Sequence, residues 1–183
     1  MYVWLDLETT GLHPQTHRIL EVAVVLTDDK FVPYWKNSWL IKHSQDDMIF
    51  NIFAAEMHGN NNLLKALLDK NQEKHTLDDV QNMLDSMLPP RTEKQAILCG
   101  NSIHFDRRFI RQHMKLIDEQ LHYRMIDVSA IKLMMYAMGL PPIKGKNVHR
   151  ALDDVNESLE EFRRYREITK QGLDSYLKEI QNG

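Results

Sequence analysis

The sequence predicts a layered α/β fold built on a mixed sheet. Three short strand-like segments joined by polar connections open the chain, which suggests an antiparallel meander. Helix-period and strand-like segments then alternate along the rest of it, the pattern of helices packed on a sheet. A third observation marks a site on that fold: the opening strand, VWLDLETTGL, carries two carboxylates among apolar neighbours.

The strands of the meander are expected at residues 2–7, at residues 19–27, and at residues 39–42 with their flanks, linked by HPQTH and TDDK. Residues 47–69 read as two short helical pieces broken by Asn60, Asn61 and Asn62. Thr76 is placed to cap a helix, with Asp79 three residues on as its capping-box partner. Leu77, Val80, Met83, Leu84 and Met87 follow at helical spacing, and Pro89-Pro90 ends that run. AILC at residues 96–99 reads as a buried strand closed by Gly100. A helix is expected over about 105–117, a short strand at Met125 and Ile126, and a helix over about 129–138 that ends at Gly139. The last helix starts near Arg150 and runs past Tyr165.

With 183 residues, 43% hydrophobic and 27% charged, the chain is expected to form one globular domain over residues 1–183 with a substantial core. Its one cysteine, Cys99, excludes an internal disulfide framework and fits a reducing compartment. No apolar run approaches the roughly 20 residues that span a bilayer. The opening MYVWLDLE shows no basic leader or signal-type segment, so a cytoplasmic location is expected. The formal net charge of −3 argues against a protein that grips long duplexes by neutralising many phosphates. A nucleic-acid enzyme of this balance touches few phosphates or works through metal ions.

Asp6 and Glu8 lie two apart on a strand and so share a face. Two like charges about 4 Å apart repel by about 4 kcal/mol at an effective dielectric near 20. Asp106 opens a helix whose inward stripe continues through Ile110, His113 and Ile117, while Arg107, Arg111 and Lys115 form a separate basic stripe. On the last helix Asp153 shares a solvated stripe with Glu157, Glu160 and Arg164, whereas Asp154 borders Ala151, Val155, Leu159 and Phe162. Taken alone, Asp106 also reads as an N-cap, Asp154 as a first-turn aspartate opposing the helix dipole, and His149 as an ordinary loop histidine. Together, four inward carboxylates would repel one another unless cations lay among them. Hard divalent ions are the natural counterparts, and the lack of cysteine clusters or paired histidines argues against zinc.

These residues carry a resemblance to the DEDDh 3′–5′ exonucleases and, within them, to the oligoribonucleases. DLETTGL at 6–12 resembles the first motif, GNSIHFDRRF at 100–109 the second, and HRALDD at 149–154 the third, which selects Asp154. HYRMIDVS at 122–129 is a further stretch typical of oligoribonucleases, and the likeness runs from Met1 to about Arg166. The resemblance implies an RNase H-like mixed five-stranded sheet flanked by helices. It also implies two Mg²⁺ or Mn²⁺ ions per active site, held by Asp6, Glu8, Asp106 and Asp154, with His149 as general base. The implied reaction is 3′–5′ hydrolysis of very short RNAs to nucleoside 5′-monophosphates.

By the same resemblance, Leu12 is a wedge between two bases, Phe53 stands where a base-stacking tryptophan is usual, and His58 contacts a base. Phe53 reads equally as a core aromatic. Ser102 and Ser129, with Arg124, would cap the substrate's 5′ phosphate, and Tyr123 and Arg124 would reach the second copy's site in a homodimer. Ala130 replaces the usual threonine, and ETTGL replaces the usual EMTGL; both bear on substrate length and leave the chemistry intact. Two alternatives from the same residues are an exonuclease for longer RNA or DNA ends and an inactive nucleic-acid-binding module. The second would be expected to lose carboxylates that this chain keeps.

Overall fold

The computed structural model describes residues 1–44, 49–89, 95–141 and 150–182. A five-stranded sheet runs in the order β3-β2-β1-β4-β5. Its strands are β1 (Tyr2–Thr9), β2 (Ile19–Thr27), β3 (Pro33–Leu40), β4 (Ala96–Gly100) and β5 (Leu121–Asp127). The first three pair antiparallel, with Glu8 opposite Glu21 and Trp4 opposite Val25, while β1–β4 and β4–β5 are parallel. The sheet is therefore mixed, as expected from the meander and the alternating second half.

Strand alternation splits the core in two. Val3, Leu5 and Leu7 face a cluster with Val80 and Leu84 of α3 (Leu77–Asp85), Phe109 and Ile110 of α4 (His104–His113) and Ile117 of α5 (Lys115–Asp118). Trp4, Ala23 and Val25 face a second cluster with Met135 of α6 (Val128–Ala137) and Val155, Leu159, Phe162 and Tyr165 of α7 (Ala151–Asn182). Burial of both faces explains why β1 is apolar at nearly every position rather than at alternate ones. Asp6 and Glu8 continue the Trp4 side, so they emerge beneath α7. Of two further helices, α1 (Ile52–Asn60) lies beside the end of β1, where the Asn51 amide donates to the Thr10 carbonyl, and α2 (Leu63–Leu68) packs its Leu63 with Leu20 and Leu40 of β2 and β3. Thr76 and Asp79 form the expected capping box of α3.

Several boundaries differ from expectation for physical reasons. The third strand is Pro33–Leu40 rather than 39–42, because it follows the ladder to β2; its mostly exposed edge position removes the apolar alternation that would have revealed it. β5 likewise begins at Leu121, four residues ahead of Met125, since His122, Tyr123 and Arg124 lie on the outer edge of the sheet. The helix expected over 105–117 breaks at Met114, whose φ of −128° ends α4 before α5 begins. Arg107 leaves the expected basic stripe altogether. It is buried, with Nε 2.6 Å from Asp118 Oδ1, and it also donates to the Asp118 and His122 carbonyls, tying α4 to α5 and β5. Periodicity alone does not separate a paired, buried guanidinium from a solvated one. Among the described residues, no helix is long and apolar enough to cross a membrane.

Gly100 controls the exit of β4. A Cβ there would lie 2.8 Å from the Leu5 carbonyl oxygen and 2.9 Å from Ile103 Cδ1. Backbone thus touches backbone where the chain turns towards α4, leaving no room for a side chain. Gly100→Ala is expected to cost about 1–3 kcal/mol of stability by forcing β1 and β4 apart. Urea unfolding of both proteins would measure it, and an unchanged midpoint would remove the close approach from the account.

Candidate active site

Asp6 and Glu8 reach the site from β1, and Asp154 reaches it from the first turn of α7. One carboxylate oxygen of each lies within 4.8 Å of the others. Glu8 is buried, and Asp6 and Asp154 are half-buried. Asp153, next to Asp154, is exposed, so the helical phase separates the two aspartates as the stripes predict.

Asp106 comes from α4, which packs on the other face of the sheet, and its carboxylate reaches the edge of β1. The last β1–β4 pair is Trp4 with Cys99, so beyond it the edge of β1 has no ladder partner on that side among the described residues. The Leu7 amide, three residues on, donates to Asp106 Oδ1 at 3.0 Å. Asp106 is therefore neither an N-cap nor solvent-facing. It is a buried carboxylate from the first turn of α4, fixed on the backbone between Asp6 and Glu8.

The electrostatics follow from burial and from the crowding of like charges. Loss of water pushes the Asp6 carboxyl up to about 7, with Asp154 and then Glu21 adding to the shift. Glu8 rises to about 9 from burial first, then from Asp6, Asp154 and Glu21, while Arg150 pulls it back. Burial and the charge of Asp6 hold Asp106 well above the usual carboxylate range, against the Leu7 hydrogen bond. Such a site favours protons or cations. An all-oxygen donor set of this kind fits a hard divalent ion.

A cleft of about 250 Å³ begins at Glu8 and is lined by Leu12, Asn51, Phe53 and Met57 among others. Leu12 is 61% and Phe53 78% exposed, so Phe53 is a surface aromatic at the cleft and not a core residue. The Asn51 side chain accepts the Phe53 amide at 2.9 Å, which fixes the start of α1. His58 is 0% exposed in the ligand-free chain. Its Nε2 donates to the Thr9 carbonyl at 2.8 Å, and its Nδ1 lies 3.7 Å from Glu8 Oε2. It stands behind Glu8 instead of facing the cleft.

Ser102 and Ser129 come together, with their hydroxyls 3.1 Å apart. Ser102 has a φ of 47°, and its amide donates to Asp127 Oδ1 and Ser129 Oγ. Tyr123 and Arg124 are exposed on β5, with the Arg124 guanidinium 5.2 Å above the Tyr123 ring. His149 lies outside the described residues.

Four residues that hold this site were missed in the sequence reading. Asp127 caps α6 and accepts both the Ser102 and Ser129 amides. Asn101 accepts Ser129 Oγ and donates to Ser158 Oγ. Glu21 and Arg150 form a two-point ion pair beside Glu8. Glu21 carried a readable signal, a single charge within ILEVAVVL, the same oddity that marks Asp6 and Glu8.

Comparison with known proteins places this geometry in context. The RNase T model of exonucleases matches residues 3–162. An oligoribonuclease of Neisseria meningitidis serogroup A is 36% identical over 170 residues, covering 90% of this chain and 89% of the relative. A probable oligoribonuclease of Dictyostelium discoideum is 37% identical over 169 residues, covering 90% and 87%. Among solved structures, E. coli exonuclease I in complex with a dT13 oligonucleotide aligns with a TM-score of 0.70 at 14% identity, over 95% of this chain. The chain spans 42% of that larger protein, and the likeness shows the RNase H-like fold.

The raised carboxyls set the pH response of the metal-free protein. Asp6 and Glu8 hold protons more tightly folded than unfolded, so the folded state carries the extra protons from the ordinary carboxylate range up to about 9. Stability is then greatest at the acid end of that window and is lost as pH rises through it. The Tm in EDTA is expected to fall by about 5 °C or more between pH 5 and pH 9. Saturating Mg²⁺ or Mn²⁺ should restore it with release of protons. A Tm that rises with pH in EDTA would contradict the crowded-carboxylate site.

Proposed function

The chain belongs to the oligoribonucleases within the RNase T exonuclease family, and on that premise we propose that it is a 3′–5′ exoribonuclease acting on very short RNAs. Its substrates run from dinucleotides to oligomers of about five nucleotides, few enough phosphates to suit the chain's acidic balance. The observation that carries this reading is the convergence of Asp6, Glu8 and Asp154 at the head of a cleft lined by Leu12 and Phe53.

Asp6, Glu8, Asp106 and Asp154 would hold two divalent ions, Mg²⁺ or Mn²⁺. When bound, such a pair makes water a better nucleophile at neutral pH and stabilises charge on the leaving oxygen. His149 accepts the proton of the water that attacks phosphorus. The bond from phosphorus to the 3′ oxygen breaks, that oxygen takes up a proton, and a nucleoside 5′-monophosphate leaves. Phe53 stacks on a base through its exposed ring, with less area than an indole would offer, and Leu12 is the apolar wedge beside it. His58 acts in this reading through Glu8, which its ring backs, more than through the base.

Ser102, Ser129 and Arg124 would cap the 5′ phosphate and so restrict substrate length. Asp127 supports that role by holding both serine amides in place. A homodimer completes the site, with Tyr123 and Arg124 reaching the second copy's cleft. Its support is the open outer edge of β5, which carries Tyr123 at 69% exposure and Met125, along with exposed Leu133 and Met134 on α6 and Met138 just past its end. The whole chain is read as one exonuclease domain over residues 1–183. Its single buried cysteine, Cys99, suits the reducing cytoplasm.

A specific observation also keeps the longer-substrate reading in view: Thr9, in ETTGL, lines the cleft where oligoribonucleases read methionine. Labelled RNAs of two, five and twenty nucleotides, incubated with Mn²⁺, separate the two. Hydrolysis of the two shorter RNAs is expected to outpace that of the longest by about tenfold or more, a discrimination of about 1.4 kcal/mol. Comparable rates on all three would favour an exonuclease for longer ends. His149→Ala is expected to lower kcat by about 10²–10⁴-fold with Mn²⁺ affinity retained, and an unchanged rate would remove His149 from the reaction.

A further inference from the structure

Glu21 is 2% exposed and faces Glu8 across the β1–β2 ladder, on the side of the sheet covered by α7. A buried carboxylate there adds a fourth like charge to Asp6, Glu8 and Asp154, which by itself makes their approach harder. Its partner is Arg150, which donates Nε to Oε2 at 3.1 Å and Nη2 to Oε1 at 3.0 Å. This planar fork is the most orientation-specific ion pair available to side chains. Arg150 also acts through its backbone: its carbonyl accepts the Asp154 amide at 3.0 Å, the first hydrogen bond of α7. One residue therefore grips the sheet beside Glu8 with its side chain and Asp154 with its main chain.

We propose that Glu21 and Arg150 are positioning residues that set the distance between the β1 carboxylates and Asp154, and so the ion affinity of the site. Three observations support the role over an incidental surface pair. Glu21 is buried and gives both carboxylate oxygens to one guanidinium, and removing either partner would strand the other. The pair joins β2 to the start of α7, across 129 residues of sequence. The guanidinium that Glu21 holds also places a permanent positive charge near Glu8, which offsets part of the repulsion among the carboxylates. The proposal rests on the divalent-metal reading above and deepens it, since neither residue is among the four carboxylates assigned to the ions.

Mn²⁺ affinity measured by calorimetry without RNA tests it, together with kcat and KM on a dinucleotide. Arg150→Met and Glu21→Gln are each expected to weaken Mn²⁺ binding about 10–100-fold. Both should lower kcat while leaving KM within about threefold, and the double variant should be no worse than the poorer single, because the two act as a unit. Arg150→Lys keeps the charge and loses the fork, so its Mn²⁺ affinity should fall between parent and Arg150→Met. The proposal is overturned if Arg150→Met binds Mn²⁺ within twofold of the parent. It is also overturned if the losses simply add, or if KM alone rises, which would make Arg150 a phosphate contact. If Arg150→Met fails to fold, Arg150→Lys decides, and parent-like Mn²⁺ affinity there overturns the positioning role. Because affinity is read without RNA, a parent enzyme indifferent to RNA length would sink the short-RNA reading and leave this test intact.

Discussion

Mutual repulsion among Asp6, Glu8 and Asp154 is the constraint around which the rest of the structure is arranged. Burial and crowding raise the Asp6 and Glu8 carboxyls accordingly, and were all three ionised, each pair at less than 5 Å would oppose folding by about 3–4 kcal/mol at an effective dielectric near 20. That is a large share of the roughly 5–15 kcal/mol by which a domain of this kind is stable. The scaffold must therefore be rigid where it carries these groups. β1 meets the need because it is central in the sheet and buried on both faces, with Trp4 locked between strands and α7 and its indole donating to Thr27 Oγ1.

Each acidic group arrives by a different structural route, and each route has its own anchor. Asp6 and Glu8 are fixed by the antiparallel ladder to β2. Asp106 is fixed by the Leu7 amide, which lies on the edge of β1 past the last pair with β4. Asp154 is fixed by the buried stripe of α7 and by the hydrogen bond from its amide to Arg150. The short β4 is as important here as any catalytic group. It pairs with only three residues of β1, and the unpaired remainder is what Asp106 occupies.

Much of this was legible in the sequence, because the informative residues break an otherwise apolar pattern. Asp6 and Glu8 interrupt a buried strand, and helical phase alone separates inward Asp154 from outward Asp153. The capping box at Thr76 and the break at Asn60–Asn62 were equally plain. The edge strands were not, because an edge exposes one side and its residues follow solvent more than the core. Arg107 was misread for the opposite reason: its partners, Asp118 and the His122 carbonyl, come from later in the chain and leave no trace in local periodicity. Glu21 and Arg150 pair only once β2 and α7 are packed together, so neither announces the other in the linear sequence.

The parallel pairing of β1 with β4 has a kinetic consequence. Trp4 pairs with Val25 through a local hairpin, but with Cys99 only across the rest of the meander and three helices of intervening sequence. Pairings of such long sequence separation close late in folding, because loop entropy opposes them until neighbouring structure is in place. Asp106 and Asp154 join the assembly later still along the chain. The elements that carry the acidic side chains meet only when this long-range pairing is made, so the site is a property of the complete fold and of no local segment.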